Sequence, residues 1–255
     1  MVRIRATGSA LAEPRDKAKG NHMIEAEWWE YDSLDELGDA VAGDVGFIVE
    51  SAVDARGDSL IAVPGGRTGP VIFPKLAAQK QQWKRVTIIP TDDRLVPMDD
   101  ELSNVRSIAK AFLPTGARVI PIAAGIADYR LAGNSADARL QDLRWPPDLV
   151  WLGMGGDGHT ASIFPGPDLQ AALDAPKARR AIGVMPDPLP AEAPVPRVTL
   201  TRAAILSART ILITVTGDEK REILEQAIAD GHSSRLPIGR VLAEVDQPID
   251  IHWCP

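Results

Sequence analysis

Apolar residues along this chain fall into two alternating patterns, and the alternation predicts the fold. Short runs rich in Val, Ile and Leu read as buried strands at residues 59–63, 86–91, 118–122, 148–152, 181–185, 197–201, 210–216 and 249–253. Residues 24–31 read as a first edge strand. Between several of these runs, spacings of three and four predict helices over 71–83, 100–111, 135–144, 217–230 and 237–244. A further helix opens at Ser33, an N-cap with Glu36 at capping-box spacing. It puts Leu37, Val41, Val45, Ile48, Val49 and Val53 on one face before Gly57 ends it. Strands that are apolar throughout are covered on both faces, so the pattern predicts an α/β fold with a mainly parallel sheet between helical layers.

Composition sets bounds. The chain has 255 residues, 45% hydrophobic and 25% charged, an ordinary globular balance that suits a single domain, expected over residues 23–255. Residues 1–22 are polar, basic and without apolar periodicity; they are expected to be a disordered extension, and they lack the apolar core of a signal peptide. No apolar run approaches the roughly 18–20 residues of a membrane span. The one cysteine, Cys254, forms no internal disulfide and no multi-Cys zinc site, so a reducing compartment and no metal are expected. A net charge of −7 disfavours non-specific nucleic-acid binding while leaving room for a small anion in a local basic pocket.

Candidate chemistry sits in loops that directly follow predicted strands, where ligands bind in such sheets. Residues 64–70 (PGGRTGP) link a strand to a helix. Gly65 and Gly66 let the backbone approach an anion, Thr68 adds a hydroxyl donor and Arg67 a cation; the same stretch also reads as a plain turn. Asp92, Asp93 and Arg94 read either as a solvated turn or as an arginine aimed at developing oxyanion charge, with Asp92 positioning it. Residues 153–166 (GMGGDGHTASIFPG) contain G-x-G-x-x-G, but Pro165 and Gly166 stop the long helix that a dinucleotide site requires. What remains is His159 in a glycine-rich turn, two residues after Asp157. Lys220, one turn into the helix after residues 216–217, reads as a phosphate ligand or an exposed helix lysine, and Arg197 starts a strand.

In order and spacing these stretches resemble the 6-phosphogluconolactonase family, over about residues 25–253, with residues 157–166 (DGHTASIFPG) closest to its motif. The resemblance implies a Rossmann-like three-layer α/β/α sandwich without bound nucleotide, of the glucosamine-6-phosphate deaminase and ribose-5-phosphate isomerase type. It implies hydrolysis of a phosphorylated sugar lactone in the pentose phosphate pathway, by a cytoplasmic enzyme with no cofactor. His159 would be the general base and Arg94 the oxyanion donor; Asp157 and Asp92 would orient the site. Gly65, Gly66, Arg67, Thr68, Lys220 and Arg197 would hold the substrate phosphate. Two departures stand out. The family's Gly-Gly-Ser-Thr-Pro is replaced at 66–70 by Gly-Arg-Thr-Gly-Pro, and Asp93 stands where the family has Glu. Two rivals fit less well. The deaminases carry a Glu soon after the His, and residues 160–165 hold no carboxylate. Sugar-phosphate sensor domains carry a helix-turn-helix, for which residues 1–22 are too short and irregular.

Overall fold

The computed structural model describes residues 3–5, 24–123, 125 and 128–255. The expectation for residues 1–22 falls outside these, except that Arg3–Arg5 forms strand β1. Among the described residues the main sheet has eight strands. Its strands are β1, β2 (Ala26–Glu30), β3 (Ser59–Val63), β4 (Val86–Pro90), β6 (Arg118–Val119), β7 (Leu149–Gly153), β10 (Ile211–Thr216) and β11 (Ile249–Cys254). Their order is β1-β2-β11-β10-β7-β3-β4-β6, and every neighbouring pair is parallel except β1–β2.

Successive residues of the central strands feed two separate cores, which is why these strands read as unbroken apolar runs. Leu60, Ala62, Val150, Leu152, Ile211 and Ile213 face one side. There they meet α4 (Tyr129–Gln141), α6 (Arg202–Leu206), α7 (Asp218–Asp230) and α8 (Pro237–Leu242), with α5 (Leu169–Leu173) in the same layer. Ile61, Val63, Ile88, Leu149, Trp151 and Leu212 face the other side, covered by α1 (Leu34–Arg56), α2 (Thr68–Ala77) and α3 (Asn104–Phe112). Each strand residue fully withdrawn from water contributes about 1.5–3 kcal/mol, so both faces stabilise the sheet.

The N-terminus of α1 forms as the capping pattern predicts. Ser33 Oγ accepts from Glu36 N at 3.2 Å, and Glu36 Oε2 accepts from Asp32 N, one residue before the cap. Leu37, Val41, Val45, Val49 and Val53 are buried and Ile48 partly so, and Gly57 closes the helix at φ 85°.

Three differences from the sequence reading have physical causes. Residues 181–184 and 197–200 do not join the main sheet; as β8 and β9 they pair antiparallel with β5 (Asp92–Arg94) in a second sheet of order β5-β9-β8. Apolar runs mark burial without saying which sheet buries them. Helix α2 starts at Thr68, three residues earlier than expected, because Pro70 falls in its first turn, where a missing N–H costs nothing; it ends at Ala77, leaving Trp83 in a separate 3₁₀ turn. Helix α3 starts at Asn104 instead of residue 100, since its N-terminus is fixed by a distant carboxylate described below.

The β2–β11 edge contains a fully buried imidazole. His252 lies between Trp29 and Tyr31, with its Nδ1 3.0 Å from the Tyr31 hydroxyl. Its Nε2 has no hydrogen-bond partner among the described residues and sits 3.6 Å from Asp44 Oδ2. Burial pushes the His252 pKa down to about 4 and the Tyr31 phenol up to about 12. A base whose folded pKa is depressed binds fewer protons than in the unfolded chain. Its stabilisation is therefore complete above pH 6.5 and is lost as the pH falls toward 4, by about 3 kcal/mol. His252→Asn, which keeps a polar atom near the Nδ1 position, is expected to remove most of that acid limb. Urea unfolding of both proteins at pH 7 and pH 4.5 checks it; an equal loss of stability in the two would refute the assignment.

Candidate active site

The candidate site lies at the carboxyl ends of four adjacent strands, β4, β3, β7 and β10. The chain leaves β3 toward α2 on one face of the sheet, and it leaves β7 toward the α4–α8 face. The two loops part, and a crevice opens between neighbouring strands, the place where ligands bind in open α/β sheets. The loops after β3 (64–67), β5 (95–103), β7 (154–168) and β10 (residue 217) all converge there.

The loop after β7 is a tight turn. Gly155 N donates to His159 O, and Gly158 N donates to Gly155 O at 3.0 Å. Thr160 Oγ1 donates to Gly153 O, and Ile238 N at the start of α8 donates to Gly158 O. Within this turn His159 Nδ1 and Asp157 Oδ1 are 2.5 Å apart, and the same oxygen accepts from His159 N at 3.1 Å. Partial burial raises the Asp157 carboxyl, but the His159 ring and backbone donors outweigh it and hold it below its ordinary range. The dyad lies so close to the chain that a Cβ on Gly155 would sit 2.2 Å from His159 Cε1. Glycine at 155 therefore serves the packing of the imidazole. The ring stacks on Phe164 at 4.1 Å between centroids, and Nδ1 is bound to Asp157, so Nε2 is the nitrogen left for chemistry.

Phe164 also meets Arg197, whose guanidinium lies 4.9 Å from the ring centroid. The antiparallel register sets Arg197 directly opposite Arg94. Two like charges facing each other across a strand pair are destabilising. Arg197 is buried, with Nη2 donating to Ala193 O, while Arg94 Nη1 donates to Leu102 O and Asn104 Oδ1. The Nε atoms of both are buried and have no partner among the described residues. Burial, and then the neighbouring Arg94, lower the Arg197 pKa, against the pull of Asp92.

The two acids before Arg94 act in different directions. Asp92 is buried and takes 2.6 Å from Ser162 Oγ and 3.2 Å from Thr91 Oγ1, so it clamps β5 to the His159 loop rather than touching His159. Ser162 N in turn donates to Thr199 Oγ1 on β9. Asp93 accepts from Arg94 N, Asn104 N and Val105 N, and from Ser103 Oγ, so it is the carboxylate that fixes the start of α3. Burial pushes Asp93 up to about 6 against the pull of those backbone donors.

A second basic group lies near Asp157. Lys220 Nζ donates to Met154 O at 2.7 Å; burial and then Arg67 lower its pKa, while Asp157 raises it, so all three share one neighbourhood. Arg67 and Gly66 are exposed, and Thr68 opens α2 beside them. Gly65 packs on the Asn104 carboxamide. Among the described residues, no three His, Cys, Asp or Glu side chains gather in a way that would hold a metal ion. No described helix is long and apolar enough to cross a membrane.

The structure thus brings together every loop singled out in the sequence. It sets Arg197, the weakest of those candidates, directly opposite Arg94. It also gives supporting roles to Asp93, Asn104, Gly155, Ser162 and Phe164, which hold other groups in place. All but Asn104 stand in stretches that the sequence picks out, where their neighbours carry the chemistry; Asn104 directly follows the helix cap Ser103.

The 6-phosphogluconolactonase of Rhizobium meliloti (strain 1021) is 36% identical over 223 residues, spanning 86% of this chain and 94% of that protein. That of Mesorhizobium japonicum is 38% identical over 237 residues, spanning 89% and 95%. The crystal structure of a 6-phosphogluconolactonase from Shewanella baltica OS155 superposes with a TM-score of 0.82 at 29% identity, covering 92% of this chain and 98% of that one. Residues 32–253 match the family described as glucosamine-6-phosphate isomerases/6-phosphogluconolactonase, and the chain belongs to that family.

Proposed function

We propose that this protein hydrolyses 6-phospho-D-glucono-1,5-lactone to 6-phosphogluconate, the lactone-opening step of the oxidative pentose phosphate pathway. The observation that carries the reading is the Asp157–His159 dyad, whose Nε2 is left for chemistry, between a pole made by Arg94 and Arg197 and another made by Arg67 and Lys220. Such a pair of poles suits a substrate with one permanent anion and one that develops at the reacting carbon. The relatives' names point the same way. Residues 160–165 carry no carboxylate to assist an aldose–ketose isomerisation, which favours the lactonase branch of the family.

In this reading Asp157 holds the Nδ1 proton, so Nε2 of His159 removes a proton from water as it adds to the lactone carbonyl carbon. The carbonyl oxygen becomes an oxyanion facing the guanidiniums of Arg94 and Arg197, whose fixed positive charge stabilises it. Collapse of the tetrahedral intermediate breaks the bond to the ring oxygen, which takes the proton back from Nε2. The product is an open-chain acid that ionises to the carboxylate. Arg67, Lys220, the Thr68 hydroxyl and the N-terminus of α2 hold the phosphate. Arg197 serves the oxyanion pole in this reading, beside its strand partner Arg94, instead of the phosphate. The environment is the cytoplasm.

Two variants test these roles with lactone generated in situ and hydrolysis followed above the spontaneous rate. His159→Ala is expected to lower kcat roughly a thousandfold, within the range of general-base catalysis, with KM little changed. Turnover near that of the parent would remove His159 from the mechanism. Lys220→Ala is expected to raise KM about tenfold or more while kcat stays close to normal, as loss of ground-state phosphate binding requires. A defect in kcat alone would place Lys220 in the chemical step instead.

A further inference from the structure

The loop that carries Arg67 meets the first residue of α3, the helix that follows Arg94, where Gly65 faces Asn104. A Cβ built on Gly65 lies 1.9 Å from Asn104 Oδ1, 2.0 Å from Cγ and 2.4 Å from Nδ2. The carboxamide thus fills the space that any side chain at 65 would need. Asn104 is buried, and both ends of its side chain are used. Oδ1 accepts from Arg94 Nη1 at 2.8 Å, and Nδ2 donates to Asp92 O at 2.8 Å. A guanidinium only donates and a carbonyl only accepts, so turning the amide over would break both bonds at once. The backbone N–H of Asn104 is fixed independently by Asp93 Oδ1 at 2.6 Å.

We propose that Asn104 is a positioning residue that aims the Arg94 guanidinium, and that Gly65 is its matched partner, required so that the carboxamide has room. The proposal rests on the lactonase reading, in which Arg94 faces the oxyanion. The glycine at 65 then does different work from the one its place in a phosphate loop suggests. It admits no ligand; it lets the phosphate loop and the oxyanion arginine seat on each other as one unit. Substrate phosphate captured at Arg67 and Thr68 is thereby held at a set distance from Arg94. In a reaction that depends on alignment, a displacement of about 1 Å costs on the order of a hundredfold in rate.

Parent, Asn104→Ala, Gly65→Ala and the double variant test this. Each single change is expected to lower kcat about a hundredfold with KM within about threefold, because Arg94 is misaimed while the phosphate pole is intact. The double variant is expected to match Asn104→Ala within about twofold, since a methyl at 65 has no carboxamide left to displace. Losses that multiply would overturn the pairing, and a loss confined to KM would overturn the aiming of Arg94. Melting temperatures are read alongside; the Asp93 bond to the residue-104 N–H survives in Asn104→Ala, so a shift of only a few degrees is expected.

A readout independent of turnover is the Arg94 Nε–H NMR resonance, assigned by its disappearance in Arg94→Lys. It should move in both single variants, and its position in the double variant should coincide with that in Asn104→Ala. An unmoved resonance would sink the proposal even if the parent hydrolyses some other lactone. Activity in the parent, loss of it in Arg94→Ala and full retention in Asn104→Ala would leave the lactonase reading standing and the role of Asn104 refuted.

Discussion

Everything at the site depends on the parting of two neighbouring strands. β3 and β7 share a parallel ladder at Ile61–Leu149 and Ala62–Val150, yet their connections run to opposite faces of the sheet. Backbone groups beyond their carboxyl ends therefore find no partner strand, and side chains from both loops share the gap. The glycines of these loops pay for proximity with lost side-chain packing: Gly155 admits the imidazole and Gly65 admits the Asn104 amide. A sheet without this reversal would bring the same residues to its edge with nothing between them.

The small sheet answers a different need. Aiming two guanidiniums at one point is electrostatically unfavourable, and no flexible loop would hold them so. Pairing β5 with β9 fixes Arg94 opposite Arg197 through backbone hydrogen bonds, whose geometry is insensitive to the repulsion of the side chains. Asp92, Ser162 and Thr199 then tie that ladder to the His159 turn, while Asp93 ties it to α3. The ring of Phe164 touches both His159 and Arg197 and so links the base to the cation pair by packing. The site thus carries facing like charges and unsatisfied donors, and the apolar cores on both faces of the main sheet offset them.

Much of this was legible along the chain because it is local. Most strand runs, the Ser33 cap, the Gly57 stop and the glycine-rich turn around His159 are set by the conformations of a few consecutive residues and by periodic burial, and they appear within a residue or two of where the pattern puts them. The run read at 118–122 is shorter, ending at Val119, and the helix read at 135–144 begins earlier, at Tyr129. The same pattern misplaced β8 and β9, since burial by a second sheet looks the same in sequence as burial by the first. It also misjudged the start of α3, where the capping carboxylate of Asp93 is supplied from another element.

By itself, then, the sequence determined that this is an α/β protein with its polar residues gathered after strands, and that His159, Asp157, Arg94 and Lys220 were the groups to follow. Only the tertiary structure decided which of them meet. It put Arg197 opposite Arg94, gave Asp92 a clamping bond to Ser162, and set Asn104 against Gly65. The reason is that contacts 39 to 103 residues apart in the chain depend on strand order and register, which no local spacing encodes.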